Sequence, residues 1–144
     1  MRAHGINRHT YDLDLWVARD RANTMALANY LRGAENVPPL DRLERPNFKF
    51  TIGDPLRPEV EILTSVEGDP SFDDAFLRRS RLMLDTRRVP VIGVIDLVTV
   101  KEAVAKRMEL EAIDLRLSEA ERSQAEVTAQ KERRDLLFLR SLEV

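Results

Sequence analysis

The stretch Tyr11-Asp12-Leu13-Asp14-Leu15-Trp16-Val17 decides the fold, because polar and apolar side chains alternate along it. A period of two is typical of a β-strand, and Trp16 and Val17 at its end favour a strand as well. Residues i and i+2 of a strand share a face, so the backbones of Asp12 and Asp14 lie about 6.5–7 Å apart on one face. The sequence therefore predicts a strand that carries a pair of carboxylates.

The rest of the chain predicts a mixture of strands and helices. Asp20 and Ser71 are suitable N-caps, since their side chains accept hydrogen bonds from the first helical turn. From Asp96 onward no glycine or proline interrupts the chain, which predicts one long helix, or two with a bend, as far as Val144. The other predictions are strands over 48–52 and 59–64, a turn at 53–55, helices over 20–32 and 71–79, and a hairpin of 81–85 with 89–92 around Thr86-Arg87-Arg88.

Two stretches of the C-terminal helical segment differ in their polarity. The first carries Leu97, Val100, Val104 and Met108 at helical spacing, which predicts a stripe that faces the core. Residues 118–134 are polar on nearly all sides, which predicts a solvated extension or a surface for a partner.

Length and composition exclude several classes of protein. The chain has 144 residues and no cysteine, which predicts one domain over 1–144 and excludes disulfide scaffolds, thiolate metal sites and cysteine nucleophiles. Two histidines exclude a multi-histidine metal cage, and a net charge of -2 predicts no nucleic-acid partner from bulk charge alone. No apolar run approaches the roughly 20 residues that span a bilayer, and no signal peptide is evident, so we expect a cytoplasmic protein without membrane contact.

The paired aspartates predict a site for a hard cation. Mg²⁺ takes oxygen ligands, often from one or two carboxylates together with substrate phosphates. A third acid on a neighbouring strand would complete a two-metal site for phosphoryl displacement, and Glu59 and Glu61 are both candidates. The alternative is that Asp12 and Asp14 lie on the solvated face of an edge strand.

The run from His4 to Val17 closely resembles the first metal-binding strand of the DNA-polymerase-β-like nucleotidyltransferase superfamily, above all its small bacterial branch of abortive-infection-type toxins. That branch carries an Arg-x-Thr-x-Asp-hydrophobic-Asp-hydrophobic stretch. The matching residues are Arg8, Thr10, Asp12 and Asp14, and the resemblance continues at 60–65, at 89–97, at Lys101 and at 131–142.

The resemblance implies an α/β (α+β) nucleotidyltransferase fold, in which helices flank a mixed β-sheet and a long helix lies at the C-terminus. It implies transfer of a nucleoside monophosphate from a nucleoside triphosphate to an acceptor hydroxyl, with Mg²⁺ or Mn²⁺ as cofactor. The acceptor would be a nucleic acid such as tRNA, a protein or a small molecule, and a toxin of this kind would have an antitoxin partner. Asp12, Asp14 and Glu61 would be the metal ligands and catalytic residues, with Glu61 as the candidate base.

Three residues are implied as nucleotide contacts. Arg8 and Thr10 precede the aspartate pair, and Lys101 would approach the triphosphate as a compact charge. From the residues alone, Arg8 is explained equally well by a phosphate contact and by a salt bridge to one of the aspartates.

A second hypothesis is a catalytically inactive, truncated member of the superfamily that acts as a binding or partner module. The family carries a glycine-containing turn about a dozen residues before the first aspartate, whereas here eleven residues precede Asp12. The turn is therefore expected to be missing, either from the protein or because its start codon is misassigned.

A cluster of arginines is the last candidate. Arg78-Arg79-Ser80-Arg81 together with Arg87-Arg88 would suit an RNA or nucleotide acceptor. The favoured interpretation is a solvated face, because Asp73, Asp74 and Asp85 are close in sequence.

Overall fold

The computed structural model describes residues 4–5, 12–33, 37–52 and 59–142, with the side chain of Asp12 excepted. The protein is a mixture of helices and small sheets, with a long C-terminal helix. The chain divides into two compact units, a sheet unit of residues 9–66 and a helical unit of residues 1–8 and 67–144. The elements are β1 (Asp12–Trp16), α1 (Arg21–Tyr30), α2 (Leu40–Leu43), β2 (Lys49–Ile52), β3 (Glu59–Leu63), α3 (Phe72–Leu77), β4 (Ser80–Leu84), β5 (Arg87–Val91), α4 (Val94–Ala112) and α5 (Glu119–Arg140).

The sheet unit contains a three-stranded mixed sheet in the order β1-β3-β2. β1 pairs with β3 in parallel, and β2 pairs with β3 antiparallel. Leu43 and Ile62 are fully buried, and the buried Thr64 hydroxyl donates to the Arg45 carbonyl at 2.6 Å and accepts from the Phe48 amide at 3.0 Å. The predicted mixed sheet is thus present, with its central strand fixed by both apolar burial and a satisfied hydroxyl.

Local capping signals in the sequence are confirmed. Asp20 accepts a hydrogen bond from the Asn23 amide at 2.9 Å and begins α1, and Ser71 does the same for the Asp74 amide at the start of α3. The α5 helix begins with a capping box, in which the Ser118 amide donates to Glu121 at 2.8 Å. The hydrogen bonds from the Ser118 hydroxyl and amide hold the pKa of Glu121 below its usual value.

Two helices, not one, form the C-terminal segment. α4 ends at Ala112 and α5 begins at Glu119, and the ion pairs Glu102–Arg140 and Glu109–Arg133 show that the helices run antiparallel. The prediction that 118–134 is a solvated extension or a surface for a partner is wrong for one face of α5, because Ala125, Ala129 and Glu132 are buried there. Small side chains let the two helices approach closely. The buried apolar residues of the pair are Leu97, Ala105, Ala125, Ala129, Leu136 and Leu139.

The predicted hairpin is present, but its turn is shorter and lies earlier. β4 and β5 are joined by Asp85 and Thr86 alone, and Asp85 takes a φ of +52°, which aspartate tolerates better than most residues. Arg87 and Arg88 were predicted in the turn and instead lie in β5, opposite Leu84 and Met83 respectively.

Among the described helices, none combines the length and the apolar character that a membrane crossing requires.

Candidate functional site

The candidate site is one face of the three-stranded sheet. In the parallel register of β1 and β3, Asp14 is the partner of Glu61, and the backbone position of Asp12 is the partner of Glu59. Partners in adjacent strands project to the same side of a sheet, so Asp14 and Glu61 share a face. The sequence predicted two acids on one strand and a third on another, and the register brings those two strands next to each other.

A cation at this face was missed by the sequence analysis. The Lys49 ammonium lies 2.7 Å from Glu61 Oε1, and the Glu61 side chain is 21% exposed while that of Lys49 is 59% exposed. Thr51 is the partner of Glu61 in the antiparallel register, so Lys49 occupies the diagonal position on the same face. The alternation of Lys49 and Thr51 with apolar residues indicates that both side chains share one face of β2. It does not indicate that Glu61 of β3 lies beside them, because the pairing of the two strands is not written in either segment.

The donor set suits a hard divalent cation. Carboxylate oxygens are the ligands that Mg²⁺ and Mn²⁺ prefer, and adjacent strands supply them here from Asp14 and Glu61. Among the described side chains, to which Asp12 does not belong, no group of three acids or histidines is arranged as a metal site. The Lys49 ammonium occupies one Glu61 oxygen, so a metal at this face would compete with an existing ion pair.

The predicted nucleotide contacts fall in different parts of the chain. Arg8 and Thr10 lie outside the described residues. Lys101 belongs to the helical unit, where its side chain is buried on α4. Its ammonium lies 2.5 Å from Glu132 Oε2 and 3.2 Å from Asp135 Oδ2, so its charge is matched by two carboxylates of α5.

The position of Lys101 in the sequence is itself a signal for its buried ion cluster with Glu132 and Asp135. Lys101 lies four residues after Leu97 and four before Ala105, on the buried stripe of α4. A charged residue at such a position is buried only when it is paired. The pattern therefore indicated a buried partner, although it did not indicate which helix would supply one.

Within the arginine cluster, Arg78 differs from the others because it is bound to a buried carboxylate. Arg78 makes two hydrogen bonds to Asp96, with Nη2 at 2.6 Å from Oδ1 and Nε at 3.2 Å from Oδ2. The Asp96 carboxylate is buried, and this contact raises the pKa of the Arg78 guanidinium above its ordinary value. Arg78 therefore fastens the start of β4 to the first turn of α4 and is not part of a free basic surface.

One open cavity lies in the helical unit, with a volume of about 520 Å³. It is lined by residues of α4, α5 and the connection between them, including Met108, Leu117 and Ala125. Its acidic groups have partners already, since Glu111 pairs with Arg107 at 2.7 Å and Glu121 belongs to the capping box. None of the predicted site residues that the structure describes contributes to its lining.

No family model matches the chain, and the comparisons with curated proteins and with solved structures found no match either.

Proposed function

We propose that the protein is a metal-dependent nucleotidyltransferase that moves a nucleoside monophosphate from a nucleoside triphosphate to an acceptor hydroxyl. The observation that carries the proposal is the parallel pairing of β1 with β3, in which Asp14 is the partner of Glu61. The pairing is non-local, since β2 lies between these strands in the chain. It supports the assignment because the three acids that the resemblance singles out belong to adjacent strands.

In this proposal each acid has a distinct role. Asp12 and Asp14 hold the cation, and Glu61 is both a ligand and the base that accepts the proton of the attacking hydroxyl. A bound Mg²⁺ or Mn²⁺ would neutralise phosphate charge during the displacement. Lys49 orients the Glu61 carboxylate before substrate binds, because its ammonium is 2.7 Å away. A nucleic acid such as tRNA, a protein or a small molecule would accept the nucleotide, and an antitoxin would be a further partner of a toxin.

Replacement of Asp12 and Asp14 together by asparagine is expected to abolish magnesium-dependent nucleotide binding. Loss of residues that only orient a ligand already costs about 10–100-fold in metal affinity, so loss of two ligands should cost at least about 100-fold. Isothermal titration calorimetry with each of the four ribonucleoside triphosphates, with Mg²⁺ and with EDTA, measures this.

The matched control is Asp41→Asn with Glu126→Gln, which removes the same charge from two exposed positions. It should bind as the wild type does. Equal binding by the Asp12→Asn, Asp14→Asn variant and the wild type would refute the site assignment.

Lys49→Met is expected to strengthen divalent-cation binding about 3- to 10-fold, because a cation no longer competes for the Glu61 carboxylate. The change should be absent when Glu61→Gln is already present. Titration with Mn²⁺, followed by its electron paramagnetic resonance signal, provides the measurement. Weaker binding in Lys49→Met would show that the ammonium assists the site instead of competing with it.

A second candidate function is a binding or partner module without catalysis. Its support is that two of the implied site residues already have partners within the chain, Glu61 with Lys49 and Lys101 with the α5 carboxylates. The titration with nucleotides separates the two candidates. The module is favoured if the wild type binds no nucleoside triphosphate in the presence of Mg²⁺ or Mn²⁺.

A further inference from the structure

We propose that the β4–β5 hairpin, together with the end of α3, binds single-stranded nucleic acid through its phosphate backbone. This basic hairpin surface comprises Arg81 and Arg88, which share one face of the hairpin, and Arg79, whose guanidinium lies over the Phe76 ring at its base. Arg87, the partner of Leu84, lies on the opposite face. The proposal stands independently of nucleotidyl transfer, since the surface lies wholly within the helical unit and contains none of the proposed site residues.

The first observation is that these arginines are not neutralised. Arg81, Arg87 and Arg88 are exposed and form no ion pair with any described residue, and Arg79 contacts a carbonyl and a ring instead of a carboxylate. Elsewhere the arginines are commonly paired. Among the described residues, the arginines that form an ion pair with a carboxylate are Arg21, Arg45, Arg78, Arg107, Arg116, Arg133 and Arg140.

Among the described residues, the acids that are close in sequence, Asp73, Asp74 and Asp85, form no ion pair with the hairpin arginines. Asp74 acts electrostatically on Arg78, which Asp96 already pairs. Asp85 is exposed in the turn, and it is a single acid beside the three arginines of the hairpin strands. The interpretation favoured from the sequence, a solvated face, agrees with the exposure of Arg81, Arg87 and Arg88, whereas Arg78 pairs with the buried Asp96.

The second observation is the register of the hairpin. Met83 is the partner of Arg88, and Arg81 is the partner of Pro90, so Arg81 and Arg88 occupy diagonal positions on one face. Diagonal positions are roughly 7–8 Å apart, and all four residues of this face are exposed. The face presents two guanidinium groups and no carboxylate, which complements a chain of phosphates.

The third observation is a stack of planar groups at the base of the hairpin. The rings of Phe72 and Phe76 lie 5.7 Å apart with an angle of 13° between their planes. The Arg79 guanidinium lies over the Phe76 ring, 3.9 Å from its centroid, and Arg79 immediately precedes β4. Unpaired bases stack on aromatic rings and on arginine planes, whereas bases within a duplex are not available for this contact. The stack thus favours a single strand.

The base of the hairpin is held firmly in place. A Cβ at Gly93 would lie 2.7 Å from the Arg78 carbonyl oxygen, so the residue before α4 packs directly against the α3–β4 junction. The Arg78–Asp96 ion pair joins the same two segments. The arginines that follow this junction are therefore presented on a fixed ribbon, which lowers the entropic cost of binding.

The composition distinguishes a nucleic acid from a membrane. All the cations of 72–91 are arginines, whose planar forks bind phosphate in pairs of hydrogen bonds and stack on bases. A membrane-binding surface separates its basic from its apolar side chains, whereas Met83 here lies between Arg81 and Arg88 on one face.

The test uses the full chain and a fluorescein-labelled single-stranded RNA of mixed sequence, with EDTA and without nucleotide. Fluorescence anisotropy is measured between about 50 and 200 mM salt. Arg81→Gln with Arg88→Gln is expected to weaken binding roughly 10- to 100-fold at the lowest salt. Because each phosphate contact to a single strand contributes about 0.7 to the logarithmic salt slope, the slope should fall by about 1.4.

The matched control is Arg42→Gln with Arg134→Gln, two exposed arginines that form no ion pair with a described residue. It removes the same charge and should leave affinity within about twofold of the wild type, while thermal unfolding followed by circular dichroism confirms that both variants fold. Single-stranded DNA of the same sequence, a duplex and phosphatidylserine vesicles complete the comparison. Absence of RNA binding, an equal loss in the control, or preference for the duplex or the vesicles would overturn the proposal.

Discussion

Replacement of Lys101 by methionine is expected to lower the free energy of unfolding by about 3–5 kcal/mol, because it removes the cation that lies between two buried carboxylates. Lys101 is 8% exposed, and its ammonium contacts both Glu132 and Asp135. Methionine retains much of the volume of the side chain, so the loss reflects charge and not a cavity. Urea denaturation at neutral pH, followed by circular dichroism, measures the difference.

Two variants show whether the cost comes from loss of the Lys101 charge. Lys106→Met changes an exposed lysine of the same helix and should cost less than about 0.5 kcal/mol. Adding Glu132→Met and Asp135→Leu to Lys101→Met should recover most of the lost stability, since replacement of a whole buried ion cluster by apolar residues of similar volume is often close to neutral. If Lys101→Met costs no more than Lys106→Met, the buried cluster is not present in solution.

The same variant bears on the nucleotide contact implied for Lys101. The ion cluster alone explains why a lysine lies at position 101, and a contact with the triphosphate is not needed to explain it. If a folded Lys101→Met protein binds Mg²⁺ and nucleotide as the wild type does, Lys101 serves the buried ion cluster alone. Selective loss of nucleotide binding in a folded protein would retain it in the site.

Local patterns predicted the elements that local chemistry determines. The alternation around Asp12 and Asp14 gave β1, and the hydroxyl and carboxylate caps at Ser71 and Asp20 gave the starts of two helices. The break between α4 and α5 was also encoded locally, since Ser118 followed three residues later by Glu121 is the sequence pattern of a capping box. The absence of glycine and proline concealed that break.

The neighbours of each element were not predictable in the same way. Alternation assigns Glu61 to a face of its strand but does not reveal that β3 pairs with β1, because β2 lies between them in the chain. The Lys49–Glu61 and Lys101–Glu132 ion pairs join residues of different elements, so they depend on tertiary pairing that no single segment encodes. The acids of the candidate site could therefore be predicted from the sequence, whereas the cations that pair with them could not.

The last turns of α5 pack against α4 through Leu139, whose truncation is expected to have a large effect on stability. Leu139→Ala is expected to destabilise the protein by about 2–5 kcal/mol, since it removes apolar contacts and leaves a cavity. Leu139 is 0% exposed, and it lies on the same buried stripe as Leu136 and Asp135. Alanine favours helix at least as well as leucine, so the loss would arise from packing between α4 and α5 and not from helix propensity.

Leu137 provides the matched control two residues earlier on the same helix. It is 72% exposed, so Leu137→Ala should change the free energy of unfolding by no more than about 0.5 kcal/mol. Both variants delete the same atoms, and the difference between them isolates the effect of burial. Equal costs in urea denaturation would mean that α5 presents a different face to α4, and the ion cluster around Lys101 would then be misplaced as well, because it depends on the same helix rotation.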